Sequence, residues 1–153
     1  MKEQKIEIEN FGRNKMKIFR AIIPFIQKKH LSVLVIKRST IFEWFFRDKN
    51  RIVSRNDYSV YHYDLGVSSK DLYEKLEKIS VWHQPYVHIL AGNKTFVSEY
   101  LTLVTDRKNS IWDAEQKLKN KVQLYLEPLD GDVTFYSKIS GLNKLIKLSC
   151  NEE

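Results

Sequence analysis

Four histidines and a single cysteine are the side chains with which this sequence could hold a transition metal: His30, His62, His83, His88 and Cys150. A tetrahedral zinc site draws its ligands from closely spaced pairs on a helix or from Cys-x-x-Cys. None of the five has such a partner, and His88 falls in a predicted strand, so no metal site is expected. Nucleophilic catalysis finds no better footing. There is no Gly-x-Ser-x-Gly elbow, and Cys150 sits in a predicted C-terminal tail. Carboxylates pair with lysines at i,i+4, as in Glu74/Lys78 and Asp113/Lys117. Such pairs support helices and solubility. No acid pair stands isolated in an apolar setting that would raise a pKa for general-acid work.

Phosphate binding needs glycines that let backbone N–H groups close on the anion. Neither Gly-x-x-x-x-Gly-Lys-[Ser/Thr] nor Gly-x-Gly-x-x-Gly occurs. Asp64-Leu65-Gly66 precedes the candidate helix caps Ser68 and Ser69 and offers a helix N-terminus, but it reads as an ordinary strand-to-helix bend. The stretch VLVIKRSTIFEWFF, residues 33–46, has the shape of a phosphate-gripping hairpin: apolar run, polar break, apolar run. Its break is Lys37, Arg38, Ser39 and Thr40, with no glycine, and no carboxylate comes before Glu43. Two cations on a hairpin do not make a nucleotide cradle. The expectation is therefore a non-enzyme with no cofactor.

The chain carries a net charge of +7 and a pI near 9.4. Nucleic acid, an anionic membrane surface and an acidic protein all fit that balance, as does a lysine-rich solvated surface. Tyr58, Tyr61 and Tyr63 beside Arg51 and Arg55 offer a base-stacking reading, which makes a small nucleic-acid-binding module the alternative. One cysteine excludes an intrachain disulfide, and no apolar run approaches the ~18 residues of a membrane span. A soluble chain from a reducing cytoplasm is expected. At 153 residues, 42% hydrophobic and 29% charged, it suits one domain or two small intimate lobes.

The elements that would carry these residues follow from periodicity. Ile6 and Ile8 suggest a short strand. Met16, Phe19, Ile22, Ile23 and Ile26 recur at helical spacing, and Pro24 is expected to kink or end that helix near Ile23. Strands are predicted at 31–36, at 41–47, and at 51–53 running on to 58–63, with short connections that make them antiparallel neighbours. A helix over 68–79 buries Leu72, Leu76 and Ile79. Strands at 86–90 and 95–104 flank a turn at 91–94. A helix from Asn109 or Ser110 to Glu127 carries Ile111, Ala114, Leu118, Val122 and Tyr125, with Asp113 placed for a capping box. Pro128 ends it, Asp130-Gly131 turns the chain, 133–139 is a strand, 141–143 a turn and 144–148 a last strand.

That order of elements is α+β, or mixed α/β. Over most of its length from Leu31 onward, and most tellingly over 83–139, the chain resembles the actin-like cytoplasmic domains of bacterial inner-membrane platforms, the L-type component of type II secretion systems and its type IV pilus counterparts. HQPYVHILAGNKTFVSEYLTLV resembles their two strands. SIWDAEQKLKNKVQLYLEPLDGDVTFYSKI resembles their acid-bearing helix, proline turn and following strand, with Pro128, Asp130 and Asp132 in the turn's places. The length and Lys/Asn/Ile-rich character are most similar to the bundle-forming-pilus branch. The resemblance implies a degenerate actin-like (RNase H-like) lobe over 31–94, a β-α-β subdomain over 95–148, an N-terminal segment 1–30 and a tail 149–153. It implies a single-pass protein of the bacterial inner membrane, anchored by a span outside this chain. On the cytoplasmic side it would dock a hexameric secretion or pilus ATPase and a polytopic platform protein, with a homodimer as a further partner and no nucleic acid. Aromatic and arginine anchors dominate interfaces, so Trp44, Phe46, Arg47 and Trp112 are the expected contact residues.

Overall fold

The computed structural model describes residues 4–39, 45, 47–64, 70–74, 87–129 and 132–151. Its described strands are β1 (Gln4–Ile8), β2 (Ser32–Arg38), β3 (Arg51–Ser54), β4 (Tyr58–Tyr63), β5 (Val87–Gly92), β6 (Leu124–Leu129) and β7 (Asp132–Ser137). They form one sheet in the order β1-β7-β6-β5-β2-β4-β3, and each ladder is antiparallel. Among the described residues the helices that join them are α1 (Phe11–Lys28), α2 (Lys94–Thr105), α3 (Ile111–Leu118), continued by a 3-10 turn (Lys119–Lys121), and α4 (Leu142–Asn151), and residues 70–74 are also helical. The α+β class is thus observed.

The helices lie on both faces of the sheet. α1 and α4 pack together and bury Ile18, Phe19, Ile22, Ile26 and Ile146 against Val33, Val35, Leu126 and Phe135. α2 and α3 cover the other face, burying Phe96, Tyr100, Val104, Ala114 and Leu118 against Leu34, Ile36, Val60 and Leu90. β2 explains why both faces need cover. Residues Ser32 to Lys37 are all buried, as expected of a central strand with apolar layers above and below.

Several predicted elements change. α1 runs through Pro24. The proline is exposed, and the carbonyl that loses its donor belongs to exposed Arg20, where water can replace the bond. Burial of Ile22, Ile23 and Ile26 holds the helix on both sides. Lys37 and Arg38 belong to β2 rather than to a turn, and Lys37 is buried with its Nζ 5.3 Å from the Tyr61 ring centroid. Both flanks of β2 are taken, by β4 and β5. Of the predicted returning strand, Phe45 is helical, Arg47 is irregular, and 41–44 and 46 lie outside the described residues. β3 and β4 are two strands of a hairpin, not one.

The predicted strand at 95–104 is α2. The Asn93 side chain accepts a bond from the Phe96 N–H at 2.8 Å and caps it, and Phe96, Val97, Tyr100 and Val104 bury at helical spacing. Gly92 sits under this start, where an added Cβ would lie 2.4 Å from the Phe96 ring. The capping box of α3 is present, with Ser110 and Asp113 exchanging bonds, but the helix stops at Leu118 and not at Glu127. Leu124, Tyr125 and Leu126 are consecutive and buried, which a strand covered on both faces satisfies and an amphipathic helix does not. Pro128 lies in β6, beyond the residues that pair with β5. Residues 144–148 are helical too. Leu142 and Ile146 point inward from α4, and Cys150 packs half-buried beside them instead of lying in a loose tail.

Candidate functional site

α3 places two kinds of side chain. Ile111, Ala114, Glu115 and Leu118 face the sheet, while Trp112, Gln116 and Lys119 recur at i, i+4, i+7 on the outer side. A small groove of about 70 Å³ opens along that outer side, and Trp112, Glu115, Lys119, Tyr125, Glu127 and Tyr136 are among its lining residues. Trp112 is 65% exposed. Tyr125 and Tyr136 are register partners on β6 and β7, with ring centroids 5.0 Å apart. The Lys119 ammonium lies 5.3 Å from the Tyr136 centroid.

The floor of the groove is polar and buried. His88 projects from β5 on the same face as Leu90, and Tyr125 stands opposite Leu90 on β6. Glu115, 5% exposed, reaches both. Its Oε1 lies 2.9 Å from His88 Nδ1 and its Oε2 accepts from the Tyr125 hydroxyl at 3.2 Å. An ionised carboxylate only accepts, so Nδ1–H of His88 is the donor. The Tyr125 oxygen is also 3.4 Å from the same nitrogen.

Burial opposes a charge on His88, but the hydrogen bond and charge of Glu115, helped by Glu127, outweigh it and hold the imidazole above its ordinary pKa. Burial first, and then Glu115 and Glu127, push the Tyr125 phenol upward, so it stays a donor. Tyr100, deep beneath α2, is raised by burial and by Glu115, and its hydroxyl finds no partner among the described residues. A carboxylate-oriented imidazole is a general acid–base element. Here the Glu115 carboxylate is committed to two internal bonds, one to each partner, and it ties α3 to β5 and β6.

Of the expected contact residues, Trp112 lines the groove, Arg47 is exposed but not among the lining residues, and Trp44 and Phe46 lie outside the described residues. The buried acid was missed. Glu115 follows Ile111 by four and precedes Leu118 by three, so it occupies a position of the apolar stripe. That spacing was the available signal.

The other candidates resolve simply. His30 caps the chain after α1 at φ 54°, His62 lies on β4, and His83 lies outside the described residues. Among the described residues no group of His, Cys, Asp and Glu could hold a metal. Tyr61 and Tyr63 are buried on the α1 side and Tyr58 is half-buried, so the strand offers no stacking platform for bases. Of the candidate anion-binding bend, Asp64 is exposed and 65–69 lie outside the described residues. Among the described residues no helix is long and apolar enough to cross a membrane. No protein family, curated protein or solved structure matches this chain.

Proposed function

We propose that this chain is a non-enzymatic scaffold domain on the cytoplasmic side of a bacterial inner membrane. It serves a type IV pilus or type II secretion platform. It holds the hexameric assembly ATPase near the polytopic platform protein, so that motions of the ATPase reach the membrane. Trp112 carries the reading. A tryptophan two-thirds exposed, on a short helix fixed at its start by a capping box and along its inner side by Glu115, is a pre-positioned anchor. Tyr136 and Lys119 beside it supply an aromatic face and a cation for an acidic partner surface.

The family and the finer fold assignment, a degenerate actin-like lobe, rest on the residue resemblance from Leu31 onward, most telling over 83–139. Two of the elements behind that resemblance differ in the structure, at 95–104 and 119–127. An antiparallel sheet also lacks the parallel switch point at which nucleotide-binding α/β folds hold their ligands. That suits a lobe that docks and leaves hydrolysis to its partner.

The test is co-purification with the N-terminal region of the cognate ATPase. Binding is expected at micromolar concentration, weakened at least about tenfold by Trp112→Ala, a loss of about 1.4 kcal/mol. Absence of binding at micromolar concentrations in low salt overturns the reading.

A further inference from the structure

Charge is segregated between the two helical layers. α1 carries Arg13, Lys15, Lys17, Arg20 and Lys28 and no carboxylate, and α4 carries Lys144 and Lys147 and none. On the opposite face, α2 sets Lys94 against Glu99, and α3 sets Lys117 against Asp113 and Glu115. The net charge of +7 is therefore concentrated on the layer of α1 and α4. Arg13, Arg20, Pro24 and Lys28 lie exposed along one side of α1, and Lys29 follows. α4, packed beside α1, exposes Lys144, Leu145, Lys147 and Leu148.

Among the described residues, carboxylates border this layer at its margins. Glu7 and Glu9 of β1 lie near Arg13 and Lys147, and Asp132 accepts the Asn10 N–H at the start of α1. Asp64 lies beside Gln27 and His30, while Asp71 and Glu74 belong to the helical stretch that meets α1 through Tyr73 and Met16. None of Arg13, Arg20, Lys28, Lys29, Lys144 and Lys147 forms an ion pair with a described residue, whereas Lys121 on the opposite face is held by Glu99. Two exposed leucines sit among these cations. Leu145 is 39% and Leu148 56% exposed, one turn apart on α4. An anionic bilayer satisfies both features, because headgroups meet the cations and aliphatic tips enter the interface. Nucleic acid would use the cations but stacks on aromatic faces, and the apolar side chains that α4 exposes are aliphatic.

We propose that the outer face of α1 and α4 is a peripheral docking surface for a bilayer containing anionic phospholipid. The apolar side of α1 stays packed on its own sheet, so the domain lies on the headgroups and only Leu145 and Leu148 reach below them. α2 and α3 cover the opposite face of the sheet, so Trp112 is presented on the side away from the lipid. The inference rests on the cations and leucines of this face and stands whether or not Trp112 docks an ATPase.

The test is flotation of the full chain with phosphatidylcholine vesicles, with and without phosphatidylglycerol, near 150 mM salt, where the Debye length is about 8 Å. Binding is expected only when phosphatidylglycerol is present. Arg20→Glu/Lys147→Glu should weaken it at least about tenfold, and Lys144→Ala/Lys147→Ala, at exposed positions, should weaken it at least about fivefold if the reversal does not fold. Lys94→Glu/Lys108→Glu makes the same change of net charge at exposed positions around α2 and should keep binding within about twofold. Leu148→Ser should weaken vesicle binding with unchanged circular dichroism. Equal losses from the two charge reversals would overturn the inference, because net charge alone would then explain the adsorption. So would vesicle binding that Leu148→Ser retains in full, or displacement of the chain from the vesicles by a single-stranded oligonucleotide that it prefers.

Discussion

The two faces of the sheet are filled in different ways. Beneath α1 and α4 the core is made of Ile18, Phe19, Ile22, Ile26, Phe135 and Ile146, and no carboxylate is buried there among the described residues. Beneath α2 and α3 the aromatic and aliphatic packing of Phe96, Val104, Ala114 and Leu118 shares its space with Glu115, His88 and Tyr125. Apolar burial is non-directional and indifferent to pH, whereas a buried hydrogen-bonded acid and imidazole fix one arrangement and respond to protons. The first face is the more apolar of the two. The second fixes the position of α3, the helix that presents Trp112.

The comparison breaks most visibly if the apolar face is cut. Phe135 is fully buried on β7, opposite Leu126 on β6 and Ile6 on β1, so it supports the sheet near its edge as well as the layer above. Phe135→Ala is expected to lower the unfolding free energy by about 3–5 kcal/mol, read from urea titration. It should leave the slope of stability against pH unchanged, since no titrating group of the opposite face touches it.

The second face should fail by less, and with a pH signature. His88 has a raised pKa in the folded state, so its contribution is fully present below its ordinary value near 6.5 and is lost as pH rises through the higher folded value. Stability relative to a His88→Gln variant should therefore decline from pH 6 toward pH 8. Glu115→Gln keeps the shape but removes the charge that holds the proton. It should cost about 1–3 kcal/mol at low pH and flatten the difference. Paired urea titrations at the two pH values decide the matter. An unchanged pH slope in both variants would mean that the ion pair is not formed in solution.

The apolar face was largely legible in the sequence, because its helical stripe in α1 and its strand in β2 follow simple periods. β1, β5 and β7 lie close to their expected places for the same reason, whereas β3 and β4, read as one strand, are two. Three elements were not legible. Asn93 falls in a stretch that reads as a turn, which hides its capping of α2, and the run after it, apolar on both faces, reads as a strand. Val122 and Tyr125 happen to continue the spacing of α3, so the helix was extended over what is β6. Leu142 and Ile146 are four apart, but a glycine and an asparagine around them suggested a turn. Tertiary packing decided each case, since neighbouring layers bury those residues whichever local period they display. The site was half legible: Trp112 was named from its type, whereas Glu115 was hidden inside an apolar stripe, where a charge draws attention only once its partners on two other strands are known.

A milder intervention separates the start of α3 from its inner side. The Ser110 hydroxyl accepts the Asp113 N–H at 3.0 Å, and the Asp113 carboxylate accepts the Ser110 N–H at 3.2 Å. The bond from the Ser110 N–H first, and then the Ser110 hydroxyl, hold the Asp113 carboxyl below its usual range. Ser110→Ala should cost about 1 kcal/mol by loss of the cap. It should do so equally at pH 6 and pH 8, because both lie far above the range in which that carboxylate titrates. A loss confined to one of these pH values would show that the cap and the His88–Glu115 pair are coupled.

The smallest effect on stability is expected at the residue that matters most for docking. Trp112 leaves most of its surface in water, so little apolar area is returned to solvent when it is truncated. Alanine is also the better helix former. Trp112→Ala should therefore change the unfolding free energy by no more than about 0.5 kcal/mol, with unchanged circular dichroism. Against that neutral background, a loss of partner binding reports on the surface alone. A destabilisation as large as that of Glu115→Gln would place Trp112 in the packing of the second face, and its exposure would no longer mark a docking anchor.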